Sequence, residues 1–567
     1  MLVGGTKAKT GGLIVAFAMA AVIVGGSAAS AADMDAMVTK APIYYAPPAP
    51  AACGSAYDFF FTACPLSWYG VTFYGTVDLG GTYQTHGTPF DRNFPSGASY
   101  LIGAGGAGAT GRTAGFGLGP NAMSQSNVGV KINEPIAPGG WSFIAQGELA
   151  FDPYSGLLAN APQAMQNGIG VPQNQQAIPA DSSRWGWLNT NDYVGFSQPV
   201  YGTLTFGRQN TLFNDGIGSY DPMGGAYAFS PIGFSGKAAG AGDTEDARWT
   251  TAIKYRVNIG DFRFGVMGQP LSSGYDAYNP NNGAVAGDIG GDIKHFGPGT
   301  LSLDVIGTWE KDAVNITDSY GCAAGPACAA LGPAAATPAG PPTSFPGAYL
   351  KATISNQTVV MALAKYSFGS WGNTPPPVVG KAAPAPSGPS GIPLTLYAGY
   401  EWIQFANPSD RQSSFRDDGF LFADPTALGV AHGQTASANF TAINNNAFNA
   451  NCGTGTGGCS DEIFQIMWVG AKYGITKDLD IVGGYYHYIQ NQYTAQLTGA
   501  ALTCAVAAAH SQCAGTFDVF SMVLDWRFLP KWDAYIGTMY SSAAGGIANG
   551  DIATNNLATT AGVRFRF

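Results

Sequence analysis

The sequence predicts an all-β fold: a transmembrane antiparallel β-barrel of about sixteen strands, with short turns at one end and long loops at the other. Three observations point to it. Segments of alternating apolar and polar residues recur along most of the chain, charge is scarce, and the connections between segments alternate in length. Only 11% of residues are Asp, Glu, Lys or Arg, less than half of the ~25% usual in soluble domains. Glycine supplies 80 of the 567 residues and aromatics 12%, too aromatic and too weakly charged for a disordered chain. No Gly-X-Y period occurs, which excludes a collagen helix. The net charge of -10 argues against a nucleic-acid binder.

The chain opens with an address. Lys7 and Lys9 precede an apolar run from Leu13 to Val24, and small residues lead into Ser30-Ala31-Ala32 before Asp33. This pattern predicts a secretory signal peptide over residues 1–32. A retained anchor fits less well, because the run is short and ends in small residues. Residues 33–67 form a Pro/Ala-rich amino-terminal segment, with an extended linker over Ala41 to Ala52. No later stretch has the ~18 unbroken apolar residues of a spanning helix.

Eight cysteines fall in four close pairs: Cys53 and Cys64, Cys322 and Cys328, Cys452 and Cys459, Cys504 and Cys513. Local, even-numbered pairing in an exported chain predicts loop-closing disulfides. None of the pairs has the CxxC-type spacing of a metal site, so no metal and no cofactor is expected.

From Trp68 onward the period is two. Val71, Phe73, Val77 and Leu79 alternate with Thr72, Tyr74, Thr76 and Asp78, and comparable alternation runs through 248–259 and 300–311. Successive side chains of a strand point to opposite faces, so each segment has one apolar and one polar face. The predicted strands are 68–80, 124–134, 141–152, 191–198, 201–209, 246–258, 261–270, 286–297, 300–312, 357–369, 393–406, 463–475, 479–493, 517–529, 531–542 and 556–567. The weakest periodicity is at 286–297, and 463–475 has an ambiguous phase.

Short connections such as Asn258-Ile259-Gly260-Asp261 and Leu529-Pro530-Lys531 alternate with long ones over about 81–123, 153–190, 210–245, 313–356, 407–462 and 494–516. The Pro-rich 370–392 is long where a short turn is expected. A soluble sandwich has no reason to alternate in this way. A membrane barrel does, with short periplasmic turns and long outer loops. Closure is also the only way for strands to satisfy every backbone group in lipid.

Charges within the strands share the polar phase: Asp78, Lys131, Glu148, Lys254, Arg256, Arg263, Asp304, Glu401, Asp525, Arg527, Arg564 and Arg566. Arg or Lys facing lipid at the midplane costs ~2–4 kcal/mol, so the charged face is the lumen and the lumen holds water. Arg208 and Lys472 share phase with apolar neighbours and sit near strand ends. Aromatics near strand ends, namely Trp68, Tyr69, Trp141, Phe151, Tyr193, Tyr201, Trp249, Trp532 and Phe567, are expected to form interfacial girdles.

At three places the chain resembles the general diffusion porins of Gram-negative outer membranes, and the alphaproteobacterial type in particular. Trp68-Tyr69-Gly70-Val71-Thr72-Phe73-Tyr74-Gly75-Thr76-Val77-Asp78 is similar to that family's first strand. Asp192-Tyr193-Val194-Gly195-Phe196, followed by Tyr201-Gly202-Thr203-Leu204-Thr205-Phe206-Gly207-Arg208-Gln209, resembles its most specific hairpin. Ala561-Gly562-Val563-Arg564-Phe565-Arg566-Phe567 resembles the outer-membrane assembly signal that ends on Phe567. The resemblance spans residues 68–567 in architecture.

The resemblance implies a homotrimer in the outer membrane, among lipid and lipopolysaccharide, passing ions and small hydrophilic solutes by diffusion. It also implies that the third long loop, about Asn210 to Glu245, folds into the barrel and narrows it. The loop acids Asp215, Asp221, Asp243 and Glu245 would then face basic wall residues Lys131, Lys254, Arg256 and Arg263, with Arg248 nearer the mouth. Opposed charges create a transverse field that orients polar solutes. Any one of these residues could equally be an ordinary solvated charge. Gly216, Gly218, Gly224, Gly225 and Gly233 would let the loop turn tightly.

Other classes fit less well. Only five His occur, at 86, 295, 432, 487 and 510, with no G-x-S-x-G elbow and no HExxH, so an enzyme is not expected. A substrate-specific channel for sugars or one anion class is the alternative, with Tyr74, Tyr397, Tyr486, Tyr488 and Tyr535 as possible path-lining aromatics.

Overall fold

The computed structural model describes residues 52–86, 114–119, 121–154, 156, 188–233, 248–269, 283–316, 352–371, 389–406, 462–491, 495–497, 500–502, 514–545 and 555–567. The signal segment, Asp243, Glu245 and the cysteines other than Cys53 and Cys64 lie outside these residues.

Sixteen strands close into one antiparallel barrel. They are β1 (Val71–Gln84), β2 (Asn127–Ala137), β3 (Trp141–Ala150), β4 (Asp192–Gln198), β5 (Gly202–Asn210), β6 (Arg248–Ile259), β7 (Phe262–Gln269) and β8 (Gly283–Phe296), followed by β9 (Gly299–Ile316), β10 (Ala352–Ser367), β11 (Leu394–Ala406), β12 (Glu462–Gly474), β13 (Leu479–Gln490), β14 (Gly515–Leu529), β15 (Trp532–Gly545) and β16 (Asn555–Arg566). Each pairs with its neighbours in chain order. β16 then returns to β1, from Thr76↔Arg566 to Gln84↔Ala558. All sixteen expected strands are present, the weak 286–297 among them. Some ladders outrun the apolar alternation: β9 and β10 stay paired out to Ile316↔Ala352.

Short turns lie at the end where both β1 begins and β16 finishes. The Pro-rich exception starts and closes as a small ladder of its own, Ser370↔Ser390 and Trp371↔Pro389. The outer face carries the apolar phase. On β14, Phe520, Met522, Leu524 and Trp526 are exposed, while Phe517, Val519, Ser521, Val523 and Asp525 point inward and are buried. Such a continuous exposed apolar band belongs against lipid. Among the described residues, no helix is long and apolar enough to cross a membrane.

The segment before β1 packs on the barrel itself. A disulfide joins Cys53 to Cys64 around the short helix α1 (Ala56–Phe61), whose N-cap Ser55 accepts from the backbone of Asp58. α1 lies at the short-turn end, where Phe59 stacks edge-on to Phe565 and Phe567. Lys531 Nζ donates to Phe59 O at 3.0 Å, and Trp532 Nε1 to Phe60 O at 2.9 Å. The terminal Phe567 exchanges both backbone hydrogen bonds with Gly75, so the last residue completes the β1–β16 seam.

Two expectations about facing are corrected. Trp249 is fully buried inside the barrel, and Tyr193 points inward, donating to Gln146 Oε1 at 3.0 Å; neither belongs to an outer girdle. Trp68, Tyr69, Trp141 and Tyr201 are exposed as a girdle requires.

Candidate functional site: the lumen and its inserted loop

After β5 the chain turns into the barrel. Thr211 caps α2 (Leu212–Tyr220), its hydroxyl accepting from the Asn214 backbone. α2 buries Leu212, Phe213, Gly216, Ile217 and Tyr220 against inward residues of the wall. These include Met267, Ile306, Met361, Leu363 and Ile403, and the following segment adds Met223, Phe229 and Ile232 to the same core. Hence the lumen has a hydrophobic core on the side of β7 to β15. Gly216 makes the close approach possible: a Cβ there would sit 2.8 Å from Ile306 Cδ1 and 3.0 Å from Leu363 Cδ1.

Four polar contacts fix the loop's path. Trp468 Nε1 donates to Tyr220 O at 3.2 Å. Tyr486 Oη donates to Asp221 Oδ1 at 2.6 Å, and the Gly225 backbone donates to Asp221 Oδ2 at 2.7 Å. The turn after Asp221 runs through Gly224 and Gly225 at φ +62° and +74°, conformations open to glycine at little cost. Beyond it, the Ala228 backbone donates to Ala122 O. Ala122 belongs to a second inserted segment, held by Asp78. The Asp78 carboxylate accepts from Met123 N at 2.7 Å, Ser124 N at 2.8 Å and Tyr535 Oη at 2.6 Å.

These contacts place the expected site residues. Asp215, in the first turn of α2, faces water and pairs with Lys254 at 3.1 Å and Arg256 at 3.0 Å. Arg263 lies next to the same loop: it pairs with Asp292 at 2.7 Å and Asp304 at 3.0 Å and donates to Tyr220 Oη at 3.0 Å. So Lys254 and Arg256 bind the loop acid directly, and Arg263 bonds the loop's Tyr220, instead of facing it across water. Asp221 is buried beneath the loop and lines no aperture. Burial pushes its carboxyl above the ordinary range, opposed by the hydrogen bonds from Tyr486 and Gly225. Burial, and then Asp304, likewise raises the Tyr220 phenol. Arg248, at the long-loop end of β6, is buried.

Lys131 stands on another part of the wall, its Nζ 4.4 Å from the centre of the Tyr74 ring. Around it runs a hydrogen-bonded row. Tyr74 Oη donates to Glu148 at 2.7 Å, Gln146 Nε2 donates to Tyr74 Oη at 2.7 Å, and Tyr193 Oη donates to Gln146. Of the other tyrosines considered, Tyr486, Tyr488 and Tyr535 do face inward but are buried under the inserted segments.

The two charges whose phase looked exceptional are explained. Lys472 is inward, 2.9 Å from Asp480, because β12 turns its apolar residues Phe464, Ile466 and Trp468 toward the loop. Arg208 does follow the outer phase of Phe206. It stands opposite Asp192 and is covered, its Nε donating to Asn189 O at 3.0 Å.

A family model described as "Gram-negative porin" matches residues 16–373, more than half of the chain. No curated protein matches. Among solved structures, the anion-selective porin of Comamonas acidovorans is similar at 15% identity, over 88% of this chain and 99% of that one, with a TM-score of 0.47. OmpT of Vibrio cholerae is similar at 10% identity over 89% and 99%, TM-score 0.43. OmpF of Salmonella typhi is similar at 11% over 88% and 97%, TM-score 0.38.

Proposed function

The chain belongs to the Gram-negative porin family, and on that premise we infer how its lumen is divided. It is an outer-membrane channel for passive diffusion of ions and small hydrophilic solutes. The inserted loop narrows this channel, and solutes pass between the loop's water-facing edge at Asp215, Gly218 and Ser219 and the wall bearing Tyr74, Lys131, Gln146 and Tyr193. The observation that supports this reading is the anchoring of the loop: Trp468, Tyr486 and an apolar core hold it against one side of the barrel. Asp243 and Glu245 would add acid to the same aperture. In this reading Lys254, Arg256 and Arg263 position the loop and Asp221 pins it. As in the general diffusion porins, the channel is a homotrimer, and residues 1–32 are removed on export.

The test is conductance of the refolded protein in planar bilayers, with liposome swelling in sugars of increasing size. The expected result is stepwise openings in threes, proportional to salt, with swelling rates that fall steeply with sugar size. Openings that one solute class blocks at low concentration would overturn general diffusion in favour of a specific channel.

A further inference from the structure

The chain has 36 acidic and 26 basic residues, which taken alone would suggest that cations are favoured. The lumen is arranged the other way. In most of its described ion pairs the carboxylate is the more buried member and the cation the more exposed; Lys254 with Asp215 and Arg263 with Asp292 are reversed. Arg566 is 48% exposed over Asp533 at 0%, separated by 2.6 Å. Lys472 is 43% exposed over Asp480 at 7%, separated by 2.9 Å. Arg256 is 40% exposed beside Asp288 at 9%. Arg527 over Asp480 and Arg263 over Asp304 repeat the pattern. Among the described residues, Lys131 is exposed with only the Tyr74 ring beside it.

In those two reversed pairs the acid stays in contact with cations: Asp292 with Arg263, and Asp215 with both Lys254 and the more exposed Arg256. A pair whose cation is the more exposed member is neutral from a distance but presents its positive end to a passing ion. Because the Coulomb term falls with distance, the nearer charge decides at close range.

We propose that the channel prefers small hydrated anions over cations, a preference that rests on the diffusion-channel reading above. Net charge belongs to the whole chain, while selectivity is set by the charges that touch the permeating ion.

The measurement is reversal potential of the full-length protein in a potassium chloride gradient. The wild type should show a chloride-to-potassium permeability ratio above one. Lys472→Gln with Arg566→Gln should lower that ratio at least twofold, since Asp480 keeps Arg527 and Asp533 keeps Arg564 as partners. Asp215→Asn should raise it. A gel assay of heat-dependent mobility confirms that each variant is folded. A potassium-selective wild type, or a ratio unmoved in the folded double variant, overturns the anion preference and leaves the channel reading standing. Absence of salt-proportional openings overturns both.

Discussion

On β2 and β3 the inward side chains include Lys131, Gln146 and Glu148. On β12 and β13 they include Phe464, Ile466, Trp468, Tyr486 and Tyr488. Both walls belong to one barrel and obey the same two-residue period. They differ in what they face. The first wall faces water and is held by side-chain hydrogen bonds. The second carries the footprint of the inserted loop, and there both faces of the strand are apolar: Val469 is exposed on the outside while Trp468 is buried on the inside. An inward apolar run in such a barrel is therefore the record of where a loop lies. Gly399 belongs to that record, since a Cβ there would fall within the Trp468 ring.

The largest expected effect tests this division directly. Trp468→Ala removes a buried indole and the donor to Tyr220 O, at a cost of ~3–5 kcal/mol. It should markedly lower the temperature at which the folded form converts on a denaturing gel and make open-channel current noisier. On the water-facing wall, Gln146→Ala removes a partner of Tyr74 and Tyr193 and should cost about 1 kcal/mol. Equal losses in the two variants would erase the distinction between the walls.

Two glycines on α2 sharpen the comparison at the scale of one methyl group. Gly216→Ala drives a Cβ into Ile306 and Leu363, and overpacking of this kind costs ~1–3 kcal/mol. Gly218 has open space around it, so Gly218→Ala should leave stability unchanged or raise it by up to ~1 kcal/mol through helix propensity. Thermal unfolding of the two variants in detergent checks opposite signs from the same substitution two residues apart.

Nearly the whole fold was legible in the sequence, because strand period and turn length are local signals. The loop's route was not. Its anchors join residues far apart in the chain, Tyr220 to Trp468 and Asp221 to Tyr486, and no spacing rule connects them. The ambiguous phase of 463–475 was the one visible trace, since a strand apolar on both faces has no phase to read. Trp249 departs for another reason: it shares parity with the outward Ile253 and Tyr255, but a bulge at Thr251 (φ +53°), between Gly207↔Ala252 and Gln209↔Trp249, turns it inward. Counting loop acids along the sequence puts Asp221 at the aperture, whereas its buried position follows from Tyr486. Strand phase puts Asp78 in the lumen, but its task of holding the 121–126 segment has no local signature.

Tyr486 and Asp221 give the finer prediction. Tyr486→Phe leaves the Asp221 carboxylate buried without its phenol donor, which costs ~1–3 kcal/mol and should again loosen the loop-bearing side without altering the opposite wall.

The smallest effect concerns the proton on Asp221. Burial raises this carboxyl above the ~3.9 of an unfolded Asp. A raised acid binds its proton more tightly in the folded state, so its contribution is fully present below the unfolded value. It declines as pH rises from there through the folded value. Asp221→Asn holds the site neutral at every pH and removes that dependence, although its amide cannot accept from both Tyr486 and Gly225. The unfolding midpoint of the wild type, measured relative to Asp221→Asn, should therefore fall between pH 4 and pH 7. A difference that stays flat or rises across that range would mean that the hydrogen bonds from Tyr486 and Gly225 outweigh burial and keep the carboxylate ionised under the loop.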